Sequence, residues 1–135
     1  MKISAGKADS FVCAPPAELR IALIYGPDEG LVRERATALG ATVVADLTDP
    51  FLVCELTGGD ISNDPARLAD EVAAIALTGG RRIVRVRDAV DGISKAVQTV
   101  LDGAPGDALT ILQAGQLGPR SALRKLAESS SAAAA

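Results

Sequence analysis

Residues 20–39 have the sequence RIALIYGPDEGLVRERATAL, in which an apolar run, a glycine-flanked turn and a helical pattern follow one another. Arg20–Tyr25 is typical of a buried strand, and the pattern from Leu31 onward is typical of a helix. A glycine turn between a strand and a helix can bind phosphate, because backbone N–H groups and the positive end of the helix dipole face the anion. These residues therefore predict an α/β architecture with a P-loop-like turn.

The turn lacks the groups with which a P-loop binds a nucleotide. The working motif, GxxxxGK[ST], has a lysine that contacts the terminal phosphates and a hydroxyl that binds magnesium. Here the spacing is one residue shorter, and Leu31 and Val32 follow the turn in place of those residues. We interpret it as a degenerate P-loop whose acidic residues would repel a phosphate. Its members are Gly26, Pro27, Asp28, Glu29 and Gly30. The simpler alternative is a plain turn whose acids stabilise the helix N-terminus.

The composition limits the function further. The chain has 135 residues, which is typical of one domain, and 48% are hydrophobic although only 2% are aromatic, so the core must be aliphatic. Histidine is absent, which excludes His-dependent triads, His acid–base catalysis and most zinc sites. The net charge of −3 gives no general attraction to nucleic acid or acidic membranes. We expect no metal site, no cofactor and no catalytic residues.

The cysteines and the two termini indicate the cellular setting. Cys13 and Cys54 form no CxxC motif and are expected to be free thiols. The N-terminus lacks a signal-peptide pattern, and no apolar run approaches the roughly 18 residues of a membrane span, so we expect a cytoplasmic protein without a membrane partner. Residues 1–128 are expected to form one domain of a longer subunit, and residues 129–135 a frayed Ser/Ala-rich tail at a fragment end.

Strand-like and helix-like segments alternate along the chain. The predicted strands are Arg20–Tyr25, Phe51–Leu56, Arg81–Arg87 and Ala108–Gln113. The predicted helices are Ser4–Ala14, Glu29–Leu39, Pro65–Thr78, Gly92–Leu101 and Pro119–Glu128. Two alternatives remain after Gly40: continuation of the helix to Leu47, or a short strand at Thr42–Ala45. The alternation predicts a three-layer α/β/α fold with a mostly parallel sheet covered on both faces.

One leucine lies away from the apolar stripe of its predicted helix. At about 100° per residue, Leu68, Val72 and Ile75 share one side of that helix, which we expect to face the core. Leu77 is nine residues after Leu68 and therefore points to the opposite side. This position predicts an exposed apolar side chain, and one interpretation is that it enters a pocket on a partner. The alternatives are a solitary surface leucine, or a distorted last turn that directs the side chain inward.

Three basic residues suggest a second contact. Arg85 and Arg87 share one face of a predicted strand, and Arg120 lies at the start of the last predicted helix. They are candidates for contact with DNA phosphates or with a neighbouring subunit. The alternative is that their side chains cover apolar surface and pair with the surplus of acidic residues.

A response-regulator receiver domain is another doubly wound α/β fold. It requires an acidic pair, a phosphoacceptor aspartate, and hydroxyl and lysine residues after later strands. Asp28 and Glu29 resemble the pair, and Asp88 ends the third predicted strand. Gln113 ends the fourth predicted strand, however, where neither a hydroxyl nor a lysine is present. The sequence therefore disfavours this alternative.

Five segments carry a resemblance to a known family. They are LIYGPDEGLVRERA (Leu23–Ala36), DPFLVCEL (Asp49–Leu56), NDPARLADE (Asn63–Glu71), LTGGRRIVRVRDA (Leu77–Ala89) and GDALTILQAGQLGPRSALRKLAE (Gly106–Glu128). In this order and spacing they resemble the delta subunit of bacterial DNA polymerase III, the ring-opening subunit of the sliding-clamp loader. The similarity extends over most of the chain, although no single segment is diagnostic.

The resemblance implies an AAA+ (P-loop NTPase-like) domain with a degenerate nucleotide site, in a subunit that is part of the DNA polymerase III holoenzyme. It also implies a lid domain and a collar domain that are missing from this chain. The implied partners are the beta sliding clamp, the other clamp-loader subunits (gamma/tau and delta prime) through those missing parts, and primer–template DNA in the full complex. The implied function is to bind the clamp and help open the ring during DNA replication.

The resemblance also points to the residues that contact the clamp. In the family a hydrophobic pair at the end of a helix enters a pocket on the clamp, and the matching positions are Leu77 and Thr78, with Ala74 close by in sequence. Thr78 departs from the pattern, because a bulky aromatic residue is expected there. Either the affinity is lower, or neighbours such as Ile75 and Ala74 compensate. The competing functions are a nucleotide- or phosphate-binding P-loop-like enzyme domain and a structural module of another assembly.

Overall fold

The computed structural model describes residues 2–16, 19–74, 81–103, 108–130 and 132–134. Six strands in this part of the chain form one sheet, in which every pair of neighbours is parallel. The strands are β1 (Lys2–Ile3), β2 (Ile21–Tyr25), β3 (Val53–Thr57), β4 (Ile83–Arg87), β5 (Leu109–Ala114) and β6 (Ala132–Ala134). Their order across the sheet is β1-β6-β2-β5-β4-β3, so the chain passes from β2 to the far edge and then returns strand by strand.

Helices cover both faces of this sheet. They are α1 (Ala5–Cys13), α2 (Glu29–Ala41), α3 (Gly58–Asn63), α4 (Ala66–Ala73), α5 (Ser94–Asp102) and α6 (Ala122–Ser130). A single turn of 3-10 helix at Asp91–Ile93 precedes α5. Helices α1 and α2 pack on one face, and α3 to α6 pack on the other. The predicted three-layer α/β/α fold with a parallel sheet is confirmed.

The apolar runs of the sequence arise because the central strands are buried on both faces. In β2, Ile21 and Leu23 point to the face covered by α3 to α6, whereas Ala22 and Ile24 point to the face covered by α1 and α2. None of these four residues is more than 2% exposed. Burial of one large aliphatic side chain stabilises a fold by about 1.5–3 kcal/mol. A strand buried on both faces therefore lacks the polar alternation of a surface strand.

Helix α3, which the sequence analysis missed, follows β3 directly and begins with a capping box. The N–H of Asp60 donates to Thr57 Oγ1 (3.1 Å), and the N–H of Thr57 donates to Asp60 Oδ2 (3.0 Å). These two bonds satisfy donors that a helix N-terminus otherwise leaves open. Gly58 and Gly59 obscured the helix, because glycine is a poor helix former. Gly58 is nevertheless required, since a Cβ there would collide with the carbonyl oxygen of Asp88.

The segment after α2 forms a turn and contains no strand. Helix α2 ends at Ala41, and the hydroxyl of Thr42 donates to the carbonyl of Leu39 (2.7 Å). The N–H groups of Val43 and Val44 both donate to the carbonyl of Gly40 (3.0 and 3.1 Å). These bonds satisfy the last carbonyls of the helix. The helix therefore stops short of Leu47, and the alternative strand at 42–45 is also wrong.

Helix α4 is shorter than the sequence pattern predicts. It ends at Ala73, and Ala74 has the extended backbone angles φ −65° and ψ 140°, whereas the predicted helix ran to Thr78. The wheel argument for Leu77 requires an unbroken helix from Leu68, so that argument does not hold. Leu77 and Thr78 themselves lie outside the described residues.

The C-terminal residues were expected to form a frayed tail at 129–135. Instead, α6 extends to Ser130, and β6 pairs with β1 on one side and β2 on the other. A three-residue strand has little intrinsic signal in a sequence, because its stability comes from the partners on either side. Among the described residues, none of the helices has the length and apolar character that crossing a membrane would require.

Candidate functional site

The degenerate P-loop lies at the carboxyl end of the sheet, where the parallel strands end and loops begin. Gly26 follows β2 with φ +157°, at the margin of the region that favours glycine. Its N–H donates to the carbonyl of Gly115, which follows β5 (3.2 Å). Strands β2 and β5 are neighbours, and their connections leave to opposite faces of the sheet. This is the position at which α/β folds commonly bind ligands.

A carboxylate of the chain occupies the place where a phosphate would meet the helix. Asp28 is the N-cap of α2, and its Oδ1 accepts the N–H of Leu31 (3.1 Å). Its carbonyl accepts the N–H of Val32 (3.0 Å), as the first bond of the helix. Pro27 has no N–H to offer, and the adjacent Glu29 adds a second negative charge. The turn thus uses an internal anion to satisfy the helix N-terminus.

A cleft of about 230 Å³ lies beside the turn, between the start of α2 and the ends of β4 and β5. Its charged residues are of both signs, namely Glu29, Arg33, Arg87 and Asp88. Arg87 is exposed. Exposure is necessary for the predicted contact with DNA or with a neighbouring subunit. Among the described residues, no group of three or more Cys, Asp or Glu side chains is placed to hold a metal ion.

Arg85 is engaged within the chain and does not form an exposed strip with Arg87. Its guanidinium donates to Gln113 Oε1 on β5 and to Thr37 Oγ1 on α2 (3.2 Å for the second bond). Burial lowers the pKa of Arg85; Glu55 opposes this shift, whereas the positive charges of Arg87 and Arg33 add to it. The predicted pair therefore shares a face, but Arg85 is half-buried and already bonded.

Arg120 lies in a different place, on the loop between β5 and α6. It is exposed and borders a shallow hollow that it shares with Asp91. Asp91 holds this loop, because its Oδ1 accepts the N–H of Leu123 (3.1 Å) and the hydroxyl of Ser121 (2.5 Å). Arg87 and Arg120 line separate clefts, so the structure does not bring the three predicted arginines together.

Of the three predicted clamp-contacting residues the structure describes only Ala74, which follows α4 at the amino end of the sheet. Ala74 is exposed and is the last described residue before the gap at 75–80. Its N–H donates to the carbonyls of Asp70 (3.1 Å) and Glu71 (3.3 Å). The described chain resumes at Arg81, which leads into β4. The segment with Leu77 and Thr78 thus joins two residues whose positions are known.

Arg82 connects two elements at the amino end of the sheet, and the sequence analysis did not predict these contacts. The guanidinium of Arg82 donates to the carbonyl of Glu71 (2.9 Å) and lies 3.5 Å from the Glu71 carboxylate. It also donates to the carbonyl of Phe51, which precedes β3 (3.3 Å). One side chain therefore connects the end of α4 to the start of β3. In the sequence Glu71 is one of the acidic residues nearest to Arg82 and therefore a candidate for pairing, but nothing there indicates the bonds to the carbonyls of Glu71 and Phe51.

Phe51 was assigned to a strand, but it precedes β3 and its side chain is on the surface. The residue is 60% exposed, and β3 begins two residues later, at Val53. Its position after Asp49-Pro50 is the only signal that could have placed it in a turn, because those residue types favour turns.

Comparison with solved structures finds this fold in a DNA clamp loader delta protein and in a DNA polymerase III gamma subunit-related protein. The Bacillus subtilis DNA clamp loader delta protein (YqeN) matches with a TM-score of 0.71 and 18% identity, over 97% of this chain and 42% of its own. A DNA polymerase III gamma subunit-related protein from Thermotoga maritima matches with a TM-score of 0.64 and 17% identity, over 97% of this chain and 45% of its own. The present chain spans less than half the length of either protein.

These matches establish the fold of the chain, which is that of the corresponding part of these two proteins. No protein-family model matches the sequence, and a search among curated proteins finds no match. At 17–18% identity, similarity of fold does not by itself transfer a function.

Proposed function

We propose that this chain is a domain of a clamp-loader delta subunit, which binds the sliding clamp of DNA polymerase and helps to open the ring. The observation that carries the proposal is the fold match to a clamp loader delta protein over 97% of the chain. The five sequence segments that resemble the same family support it independently. The longer subunit would contact the other loader subunits through parts outside this chain.

The proposed mechanism makes and breaks no covalent bond. A protein shifts the equilibrium of its partner only as far as it prefers one state over the other. The domain would bind more tightly to a clamp surface whose shape occurs in the open ring, and that preference would favour opening. Leu77 is the proposed anchor, with Ala74 and Thr78 beside it. Truncation of a central apolar anchor typically costs about 2 kcal/mol of binding free energy.

The self-capped turn argues against the alternative of a nucleotide-binding enzyme domain. Asp28 already accepts the N–H of Leu31, so a phosphate would have to displace a carboxylate and then lie beside Glu29. Like charges at such short range repel even where water screens them. The proposal therefore assigns the turn a structural role at the start of α2.

The test is a titration of the chain against the purified sliding clamp of the same organism. We expect Leu77→Ala to weaken binding by about tenfold or more, which is the effect of losing about 1.4–2 kcal/mol. The matched control is Leu31→Ala, which truncates a leucine that is 37% exposed at the carboxyl end of the sheet. Thermal melting followed by circular dichroism should show that both variants remain folded.

Two results would count against the proposal. If the unaltered chain fails to bind the clamp, the clamp-loader function is wrong for this chain. If the chain binds but Leu77→Ala binds equally well, the anchor lies elsewhere on the domain. Contact of Arg87 or Arg120 with primer–template DNA is a separate part of the proposal, and it requires the assembled loader.

A further inference from the structure

We propose that the groove between α5 and α6 is a docking site for an amphipathic helix of a partner protein, in which acidic residues flank the apolar stripe. The groove has a volume of about 480 Å³ and lies on the face of the sheet that α3 to α6 cover. It is separate from the proposed clamp contacts and does not depend on them. The residues that carry the proposal are Lys95 and Gln98 on α5, and Ala122, Lys125 and Leu126 on α6.

The shape of the groove suits a third helix. Helices α5 and α6 pack on each other, and both cross back between parallel strands, so they run in the same general direction. On α6, the side chains of Ala122, Lys125, Leu126 and Ser129 line the groove, with the spacing of one helix face. At 1.5 Å per residue this face is about 10 Å long, or two helical turns. A helix can lie along such a seam, because its side chains fit between those of the two helices below.

The floor of the groove is apolar. Leu126 is half-buried and packs against the core, and Ala122 is exposed and too small to close the groove. At the start of α6 the groove adjoins the hollow that Arg120 borders, where Leu117 and Pro119 add apolar surface. This surface is complementary to the apolar stripe of an amphipathic helix. Nucleic acid phosphates are bound by charged and polar groups and would leave the floor uncovered.

The charges around this floor are positive and are not neutralised within the chain. Lys95 and Lys125 are exposed, as is Arg120 in the adjoining hollow. Within the described ranges, the side chains of these three residues form no ion pair. The chain as a whole, in contrast, has a net charge of −3. Cations beside an apolar floor are complementary to a helix with acidic residues beside its apolar stripe.

The acidic residues of the two helices are already engaged. On α5, Asp102 Oδ1 accepts Nε2 of Gln98 (2.8 Å), and on α6, Glu128 Oε1 accepts Nε of Arg124 (2.9 Å). Asp91, before α5, accepts the bonds that hold the loop between β5 and α6. An acidic partner would therefore reach the ammonium groups of the groove without having to displace a carboxylate of the chain.

The experiment uses two synthetic peptides of about 15 residues, roughly the length at which an isolated helix becomes stable. Both have the same leucine stripe, flanked by glutamates in one peptide and by lysines in the other. Binding is followed by the amide NMR shifts of the isotope-labelled chain. We expect the glutamate peptide to bind and to shift amides of α5 and α6, and the lysine peptide not to bind.

Charge reversal identifies the lysines that take part. Lys125→Glu should weaken binding of the glutamate peptide by about tenfold, because a repulsion replaces an attraction. Lys7→Glu is the matched control, since Lys7 is an exposed lysine on α1, on the other face of the sheet, and its replacement changes the net charge equally. Its affinity should equal that of the unaltered chain. Thermal melting should show that both variants remain folded.

Several results would overturn this inference. They are failure of the glutamate peptide to bind, equal affinities for Lys125→Glu and Lys7→Glu, and shifts confined to elements other than α5 and α6. A short DNA duplex is the second probe. If the duplex binds and Lys125→Glu weakens it while the glutamate peptide does not bind, the groove is a nucleic-acid site and the inference is wrong. Binding to the sliding clamp is measured separately, so failure of the proposed function leaves this test unaffected.

Discussion

The two ends of the sheet differ in how their polar and apolar groups are used. At the carboxyl end, the chain satisfies its own donors, since Gly26 bonds to Gly115, Leu31 bonds to Asp28, and Ala89 donates to the carbonyl of Gln113 (2.8 Å). At the amino end, Arg82 ties α4 to the turn before β3, and the most exposed of the described large apolar side chains, that of Phe51, projects from that turn.

This difference shows that donors at the customary binding end of this α/β sheet are satisfied by groups of the chain itself, whereas the amino end presents an exposed aromatic ring. Parallel sheets generally bind ligands beyond the carboxyl ends of their strands. Here that end carries an internal carboxylate in the turn that would face a phosphate. We therefore expect substitutions at the carboxyl end to affect folding, and we propose that the clamp contacts lie at the other end.

The largest effect expected at the carboxyl end is on folding. Gly58→Ala adds a Cβ that would collide with the carbonyl oxygen of Asp88, so strand β4 or helix α3 must shift. We expect a loss of about 1–3 kcal/mol in the free energy of unfolding, which is typical of an overpacked site. Gly59→Ala is the control, because its Cβ would meet Thr57 Oγ1 at an ordinary 3.6 Å. Urea denaturation measures both.

The same two variants test whether the carboxyl end of the sheet takes part in clamp binding. Under conditions in which Gly58→Ala remains folded, its clamp affinity should match that of Gly59→Ala. A selective loss of affinity in Gly58→Ala would mean that the carboxyl end takes part in recognition, contrary to the role we give it.

The reactivity of Cys54 tests how α4 packs at the amino end of the sheet, because Cys54 lies on β3 close to Glu71. Burial is the main reason that its pKa rises to about 11, and a hydrogen bond with Glu71 adds to the shift. Thiols react as thiolates, so Cys54 should be alkylated about tenfold or more slowly than exposed Cys13 at pH 8. Mass spectrometry of the two cysteine peptides after timed alkylation measures the ratio. Equal rates would show that α4 does not cover this part of β3.

The pKa shift of Cys54 also sets a direction for stability. Between the ordinary thiol pKa of 9.0 and the folded value of about 11, the unfolded chain loses this proton whereas the folded chain keeps it. The contribution of Cys54 to stability is therefore complete below about pH 9 and is lost as the pH rises towards 11. A Cys54→Ser variant should show a smaller decline of stability across that range.

Most of the fold could be predicted, because strand and helix periodicity reflects burial directly. The run at Arg20–Tyr25 and the helical pattern after it appear in the structure as β2 and α2, with boundaries that differ by one or two residues. The end of α4 could not be predicted in the same way. Its carbonyl at Glu71 is bonded by Arg82, a tertiary contact that no helical wheel contains.

The candidate site could be predicted from the sequence less completely than the fold. The missing lysine after Gly30 indicated a degenerate P-loop, and the structure adds that Asp28 caps the helix. The exposure of Phe51 was indicated only by the turn-favouring Asp49-Pro50 before it, because an apolar residue next to a strand pattern is normally assigned to the strand. The partners of Arg85 also come from other elements, so its engagement with Gln113 and Thr37 had no sequence signal.

The smallest expected effect concerns the cap of α2, and it tests whether the turn is structural. Asp28→Ala removes the acceptor for the N–H of Leu31, and loss of an N-cap typically costs about 1 kcal/mol. Asp28→Asn retains a capping oxygen without the charge, so it should lower the free energy of unfolding by only a few tenths of a kcal/mol.

ATP with magnesium should leave the melting temperature of the unaltered chain and of both variants unchanged. A rise in melting temperature with ATP in Asp28→Asn alone would show that the carboxylate blocks a phosphate site that is otherwise intact. The turn would then be an inhibited nucleotide site, and the division of roles between the two ends of the sheet would have to be redrawn.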